Sequence, residues 1–275
     1  MLLFELPLVC DIGNLPVGGG VAVSYVVQPT VVGAIGAVAS VTGNDPDPNS
    51  ANNRTTASGT VKPPYIVAST PKSIVDEDGD IVGITLKGAG AMEVRVLGGD
   101  NQGPIDQIVL TGTDASSSLT IQVKKGKAGN GVVNIGSIVG AGSLKTINGK
   151  ALNVTGAGIQ LGGSLGTLKA NALLNSAIAV GGSIGTVQLH EMSNSTCSAG
   201  GPIKTVNVKV YTASTINALQ VGSVKLGSVN TTNGNQQFGV QVQQPGGTVS
   251  VSSPRLKWKI TTSSDQSAGD FHVIQ

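Results

Sequence analysis

Residues Gly182-Ser-Ile-Gly-Thr-Val187 are one copy of a short pattern that returns along the chain: glycine, serine or proline, an apolar residue, any residue, threonine or glutamine, and a second apolar residue. The copies begin at Gly103, Gly142, Gly163, Gly182, Gly201 and, in degraded form, Gly222. Successive starts are 39, 21, 19, 19 and 21 residues apart, which indicates a period close to twenty residues with two periods in the first gap. A period of this length without helical stretches is typical of one coil of a β-helix.

The pattern also predicts where each side chain points. We expect the two apolar residues, such as Ile184 and Val187, to face the core, and the glycine to mark a corner. Coils stack about 4.8 Å apart, so equivalent positions of successive coils lie above one another. One column, with hydroxyls that hydrogen bond along the stack, is expected from Thr146, Thr167, Thr186 and Thr205. The sequence therefore predicts an all-β chain with a parallel, right-handed β-solenoid with end caps over residues 70–275.

Composition supports short strands and restricts the classes of partner. The chain has 275 residues, of which 39% are hydrophobic, 12% charged and 3% aromatic, and 40 are glycine. The net charge is only +2, and the basic residues are scattered along the sequence, so no nucleic-acid partner is predicted. No apolar run reaches the roughly 18 residues that a membrane-spanning segment needs, and no membrane span is predicted.

The first sixty-one residues have a different pattern. Strands are predicted over 22–28, 34–42 and 55–61, with a turn-rich segment at 43–53, which is typical of an antiparallel sandwich. Spaced elements of this region resemble the domain of unknown function eleven: Val9-Cys-Asp-Ile-Gly-Asn-Leu15, Pro29-Thr30, Asn44-Asp-Pro-Asp-Pro-Asn49 and Asn52-Asn53.

That family forms tandem immunoglobulin-like modules in bacterial surface and cell-wall proteins. The resemblance covers the second half of such a module, which implies a partial immunoglobulin-like stalk module over residues 1–61. In the family a cysteine upstream of the Cys-Asp stretch commonly supplies the partner of the residue that matches Cys10. The resemblance therefore implies a secreted or cell-surface protein that is part of a larger precursor. A half module exposes strand edges, so self-association through those edges is expected.

A linker is predicted at residues 62–69, because the consecutive prolines in Val61-Lys-Pro-Pro-Tyr65 hold the chain extended. The stretch that follows, Asp76-Glu-Asp-Gly-Asp80, then a strand, a glycine-rich turn and the repeated coils, resembles uncharacterised β-helix regions of planctomycete-like extracellular proteins. This second resemblance covers most of residues 70–260, and it implies no established activity.

Two sets of residues are candidate binding sites. Calcium is a candidate ligand of Asp76, Glu77, Asp78 and Asp80, because closely spaced carboxylates repel one another unless they are paired or bound to a cation. A hydrated cap turn is the alternative interpretation of this segment.

The second set is a candidate carbohydrate site. Trp258 and Tyr211 are candidates for stacking on a sugar ring. A period of two puts Arg255, Lys257 and Lys259 on one face of a strand, where they can bind an acidic polysaccharide. The alternative is that the apolar face of this strand caps the last coil.

Catalysis has few candidate residues. Between Asp114 and Asp265 the only acidic residue is Glu191, so the middle of the chain lacks the carboxylate pair of a glycosidase. We expect a non-catalytic structural or adhesion protein, whose solenoid is a rigid spacer or a binding face for polysaccharide, cell-wall or matrix components. The alternative is a carbohydrate-active β-helix: a binding module, a polysaccharide lyase or a glycoside hydrolase.

Overall fold

The computed structural model describes residues 8–24, 27, 33–61, 65–67, 72–97, 102–263 and 265–275. The chain divides into two compact units, Met1–Val61 and Lys62–Gln275. Part of the predicted linker, residues 62–64, 68 and 69, lies outside the described residues, whereas Tyr65–Val67 form a strand of the second unit. No helix in the described part of the chain is long and apolar enough to span a membrane.

The described residues of the first unit contain a single hairpin. Strand β1 (Gly33–Ser40) pairs antiparallel with β2 (Arg54–Val61), and a 3-10 turn at Ser50–Asn52 lies in the connection. Two predicted strands are thus confirmed to within a few residues. The third prediction, a strand at 22–28, is wrong for residues 22–24 and 27, which are in no strand, and residues 25, 26 and 28 lie outside the described part. The described hairpin is one layer rather than a sandwich.

The second unit is built from short strands joined by turns. Its strands are β3 (Tyr65–Val67), β4 (Lys72–Val75), β5 (Ile81–Lys87), β6 (Ala91–Val96), β7 (Ile105–Thr111), β8 (Ser118–Lys124), β9 (Val133–Gly140), β10 (Leu144–Leu161), β11 (Leu165–Leu174), β12 (Ala177–Val180), β13 (Ile184–Ser193), β14 (Thr196–Ala199), β15 (Ile203–Thr212), β16 (Thr215–Ala218), β17 (Val221–Val229), β18 (Phe238–Val242), β19 (Thr248–Ser253), β20 (Leu256–Lys259), β21 (Asp265–Ala268) and β22 (Phe271–Ile274).

These strands form a large, mostly parallel sheet that curls nearly closed around an axis, so the chain is all-β as predicted. One parallel series runs through β8, β10, β11, β13, β15, β17 and β19. A second series runs through β9, β10, β12, β14, β16, β18 and β22. Antiparallel pairs flank the parallel part on both sides: β3–β6, β4–β5, β5–β8 and β6–β7 before it, and β19–β20 and β21–β22 after it.

The register of the first series follows the repeated sequence pattern. Leu165 pairs with Leu144 on one side and with Ile184 on the other, and these side chains are buried. Val187 continues a second buried file, between Leu168 and Val206. The predicted inward direction of both apolar positions is thus confirmed. Each file places the core side chains of one strand directly on those of the next, which excludes water from the interior.

The first copy of the pattern, which begins at Gly103, does not join the parallel series that contains the later copies. Ile105, two residues after Gly103, pairs with Ile135 of β9 and not with the file that contains Leu144. The copy therefore belongs to the second parallel series. The prediction of two periods of about twenty residues in the first gap is wrong, because Ile105 pairs with Ile135, thirty residues further along the chain.

Tight corners join the two series. Asn175 and Asn194 adopt left-handed backbone conformations with φ of 47°, and Ala213 has φ of 45°. The serine after each of these residues is buried, and the Oγ atom of Ser195 accepts the backbone N–H of Ser176 at 3.1 Å. In the same way, the Oγ of Ser214 accepts the N–H of Ser195 at 3.1 Å. A ladder of serine hydroxyls thus satisfies backbone donors that turn away from the strand pairing.

A second corner, at Gly181, is too closely packed against the adjacent turn to accept a side chain. A Cβ atom added to Gly181 would lie 2.3 Å from the carbonyl oxygen of Gly162, which belongs to the adjacent turn. This close approach explains why the repeated pattern is preceded by glycine at this position. Next to it, the Oγ of Ser164 accepts the N–H of Ser183 at 3.1 Å, so hydroxyls support this corner as well.

Aromatic side chains fill the core where the parallel part ends. Phe271 contacts the rings of Tyr211, Phe238 and Trp258, with centroid distances of 6.1, 5.6 and 5.7 Å. Pairs at these distances stabilise a core beyond the burial of their area. Trp258 of the antiparallel strand β20 lies opposite Val249 of β19 in the sheet. The described aromatic residues of the second unit are therefore mainly structural.

Candidate cation site and binding surfaces

The acidic segment forms the turn of the hairpin between β4 and β5. The N–H of Asp76 donates to the carbonyl oxygen of Asp80 at 3.0 Å, and the N–H of Asp80 donates to Oδ1 of Asp76 at 2.8 Å. Gly79 has φ of 97°, which an L residue adopts only at a cost, and so it permits the sharp reversal of the chain. The Asp-Gly-Asp segment thus forms a hairpin turn, and the same turn brings carboxylate groups close together.

Asp80 is fully buried and holds a distant loop in position. Its Oδ1 accepts the N–H of Gly126 at 2.7 Å, and its Oδ2 accepts the N–H of Gly131 at 2.5 Å. A Cβ atom at Gly129 would lie 1.6 Å from Oδ1, so the loop can close around the carboxylate only with glycine there. Hydrogen bonds from backbone N–H groups compensate for the burial of this charge.

Three of the four predicted calcium ligands converge. Carboxylate oxygens of Asp76, Asp78 and Asp80 all lie within 4.8 Å of one another. Glu77 lies outside this cluster and is exposed, so the predicted ligand set is reduced to three. The Oδ1 atom of Asp78 is buried and has no hydrogen-bond partner among the described residues. Oxygens of this kind fit a hard cation such as calcium, which takes six to eight oxygen ligands and can add backbone carbonyls and water.

The protonation of the cluster reflects its crowding. The pKa of Asp76 is raised to about 6, chiefly by burial, with added contributions from the hydrogen bond with Asp78 and the charges of Asp78 and Asp80, and against the backbone N–H of Asp80, which lowers it. The pKa of Asp78 is lowered, chiefly because its carboxylate accepts that hydrogen bond from Asp76. The Asp76 carboxyl therefore keeps its proton to a higher pH than an ordinary aspartate does, and a bound cation would compete with that proton.

The structure removes one predicted sugar-binding residue. Tyr211 is completely buried, and its hydroxyl lies 2.5 Å from the carbonyl oxygen of Ser214 and 3.0 Å from that of Gly239. Burial raises its pKa well above the ordinary value of a tyrosine. The prediction that Tyr211 contacts a sugar is wrong, because period-two alternation places position 211 in the same buried file as Met192.

Trp258 is also engaged with the core. Its ring stacks on Phe271 with an interplanar angle of 17°, and it packs against the buried hydrophobic cluster while remaining partly exposed. This geometry agrees with the alternative weighed for residues 255–260, in which the apolar face of the strand caps the core. The ring face that touches Phe271 is not available to a sugar.

The basic residues of the same strand face outward. Lys257 lies opposite Ser250, and Lys259 lies opposite Thr248, with both lysines exposed. Arg255 is exposed in the turn that precedes β20. These three cations thus share the outer surface with the outward positions of the first parallel series.

The threonine column is confirmed by the register, but not its hydrogen bonds. Thr167 pairs with Thr146 and Thr186, and Thr186 pairs with Thr205. Ser118, Ser223 and Thr248 extend the file in both directions. Among the hydrogen bonds of the described residues, none joins these hydroxyls to one another. The serines at the corners make the bonds along the stack instead, because their Oγ atoms face backbone N–H groups.

Comparison of the chain with protein-family models, with curated proteins and with solved structures found no match.

Proposed function

We propose that residues 70–275 form a parallel, right-handed β-solenoid, and that this solenoid is a non-catalytic, rigid element of a secreted or cell-surface structural or adhesion protein. The register carries this proposal. Leu144, Leu165, Ile184 and Ile203 stack in one file at intervals of 21, 19 and 19 residues, and the sequence pattern returns at the same intervals. A chain that advances by one strand spacing per period is a solenoid, and its usual handedness follows the right-handed crossover rule.

Rigidity follows from how the core is built. Each strand of the first series contacts its two neighbours through continuous backbone pairing and buried side chains. The antiparallel strands β5 and β20 lie at its two ends, where they limit pairing with another chain. A rod of this kind can hold adjoining modules apart or present a long flat surface to a partner.

Deleting one whole coil tests the solenoid. Removal of residues 184–202 joins Ser183 to Ile203, so Ile203 takes the place of Ile184 on Leu165 and the register is kept. We expect this variant to fold, to unfold cooperatively in urea, and to have a smaller m-value than the intact chain, because less surface is buried.

The matched control removes half a coil, residues 184–193. This shorter deletion puts the following strands out of register, and we expect it to lose cooperative unfolding. The solenoid proposal is wrong if the larger deletion is as damaging as the smaller one, since a globular core would tolerate the loss of nineteen residues less well than the loss of ten.

For the first unit we propose the partial immunoglobulin-like stalk module that the family resemblance implies. The antiparallel pairing of β1 with β2 supports it, because such modules are built from antiparallel strands. Cys10 is free and exposed, in line with a residue whose family partner lies in a segment upstream. Surface localisation belongs to the same proposal.

A carbohydrate-active β-helix is the second candidate, and the carboxylates favour a binding module over a hydrolase. Asp76, Asp78 and Asp80 lie within 4.8 Å of one another, closer than the roughly 5 to 9.5 Å that retaining and inverting glycosidases need. A reducing-sugar assay on a panel of acidic and neutral polysaccharides, with and without calcium, tests this alternative. Release of sugar that is lost in Asp78→Asn would support a catalytic role.

A further inference from the structure

The outward side chains of the first parallel series bring dispersed lysines onto one surface. Period-two alternation directs Lys169 and Lys225 outward, between buried neighbours in the same strands. The register places them in one file. In order, that file contains Asn148, Lys169, Gln188, Asn207, Lys225, Ser250 and Lys257.

Further cations border this file. Two residues on from these positions, the outward side chains include Lys150, His190 and Lys209, each exposed. Lys145 and Lys204 are exposed at the corner on the other side, and Lys259 lies in the threonine file. We call this surface the basic face, defined by Lys145, Lys150, Lys169, Lys204, Lys209, Lys225, Lys257 and Lys259.

Little negative charge balances the basic face. The chain has 15 acidic residues, but between Asp114 and Asp265 the only one is Glu191, which is half-buried beside His190. The Arg95–Glu93 ion pair and the His272–Asp265 contact, found within the described residues, do not involve these lysines. The small net charge of +2 therefore conceals a strong separation of charge. Such a separation creates a positive potential over one surface and attracts polyanions.

A groove lies at the start of the basic face. It has a volume of about 580 Å³, and its lining includes Lys124, Lys150, Gln122 and Asn148. The Oδ1 atom of Asn148 is buried and has no hydrogen-bond partner among the described residues. Lys124 and Lys150 thus line one concave surface together with the amide side chains of Gln122 and Asn148.

We propose that the basic face binds a linear acidic polysaccharide, with carboxylate or sulfate groups on the lysines. The outward files span β10 to β20, about 30 Å at the usual strand spacing, which matches several sugar residues in an extended chain. The threonine file and the amides between the lysines offer further partners for hydroxyls.

Nucleic acid fits this surface less well. Proteins that bind single strands stack the bases on exposed aromatic rings. Here Tyr211 is buried and one ring face of Trp258 packs on Phe271, so these two residues offer a base no more than one partly exposed ring face. The inference rests on the stacking proposed above, because only that register gathers the lysines.

Charge reversal tests the basic face. In Lys150→Glu/Lys169→Glu both changes are at outward positions of the face. In the control, Arg54→Glu/Lys127→Glu, the net charge changes equally at residues outside it. Polygalacturonate, neutral dextran and a single-stranded oligonucleotide are the probes, titrated by calorimetry at low salt. We expect the intact chain to bind polygalacturonate and not dextran, and to lose affinity as salt is added.

The face variant is expected to bind at least about tenfold more weakly and the control within about twofold of the intact chain. A neutral variant, Lys150→Gln/Lys169→Gln, should fall between them, and circular dichroism checks that all variants fold. Failure of the intact chain to bind, or equal loss in face and control variants, overturns the inference. Tighter binding of the oligonucleotide at equal salt assigns the face to nucleic acid instead. If binding fails while the deletion of residues 184–202 behaves as expected, the solenoid stands and only this inference is lost.

Discussion

Asn175, Asn194 and Ala213 occupy equivalent corners, yet only two of them suit the conformation. All three have φ near 45°, a left-handed geometry that asparagine tolerates through its short polar side chain. An alanine in this region costs roughly 1 kcal/mol relative to glycine. The buried serine that follows each corner residue, as Ser214 follows Ala213, needs this turn in order to reach the backbone N–H of the adjacent corner.

We therefore expect Ala213→Gly to stabilise the chain by about 0.5 to 1 kcal/mol, because it removes the backbone strain without removing a contact of the serine ladder. Urea unfolding monitored by circular dichroism gives the difference. The control is Ala199→Gly, at a position in a regular strand, where the same substitution should destabilise by about 0.5 to 1 kcal/mol. Equal destabilisation by both changes would show that the corner of Ala213 is not strained.

The two cysteines differ in their exposure to solvent, and each belongs to a different unit. Cys10 is exposed, whereas Cys197 is completely buried in the file between Ile178 and Ile216. Burial raises the pKa of the Cys197 thiol to about 12, so it behaves as a small apolar side chain. Cys197 is therefore a core residue of the second unit.

At the scale of the elements, the hairpin turn at Asp76–Asp80 makes the free energy of unfolding depend on pH. The folded chain holds a proton on Asp76 up to about pH 6, whereas an ordinary aspartate loses it near 3.8. Between these values the folded state binds more protons than the unfolded state, so stability falls as pH rises. The contribution of Asp76 is fully present at the acidic end of this window and is lost through pH 6.

We expect Asp76→Asn to keep the hydrogen bond to the N–H of Asp80, to remove this pH dependence and to raise the melting temperature at pH 7. Thermal unfolding between pH 4 and pH 7 measures the effect, and Glu77→Gln, next to the cluster but not in it, is the control. Calcium should stabilise the intact chain at pH 7 more than Asp76→Asn, because the variant lacks one charged ligand. An unchanged pH slope in Asp76→Asn would contradict the raised pKa.

The elements also show what the sequence could predict. The pairing of Leu165 with Ile184 followed from the repeat, because a period near twenty fixes which residues stack. The corners did not, although Asn175-Ser176 and Asn194-Ser195 are nineteen residues apart and could have been found as a second repeat. The outward lysines could not be gathered into one surface from the sequence, since they lie at different positions of different periods and converge only through the register.

The antiparallel ends were harder still to predict. The Gly103 copy matches the repeat, but β7, which begins within this copy at Ile105, pairs antiparallel with β6 and parallel with β9. Alternation of apolar residues is the same in both arrangements, so direction is decided by the length of the connections between strands. The burial of Tyr211 was missed for a related reason, because its phenol was read as a binding group although its position belongs to a buried file.

At the scale of the whole molecule, the two units differ in how completely they bury apolar surface. The second unit has a continuous buried cluster from Ile74 to Val273. In the first unit, Val9, Val17 and Val38 have 84%, 108% and 58% of their surface exposed. Exposed apolar side chains, and a two-stranded sheet with two open edges within the described residues, favour pairing with another chain.

We therefore expect the chain to self-associate with rising concentration, and expect the shortened chain of residues 62–275 to remain monomeric, because strands β5 and β20 cover the ends of its first parallel series. Size-exclusion chromatography with light scattering, from about 5 to 200 μM, compares the two. Val38→Lys in the intact chain is a point test, since a charge on an exposed strand opposes edge pairing, and Arg54→Lys is its control. If the shortened chain associates to the same degree, the self-association surface lies in the second unit, and the prediction for the hairpin is wrong.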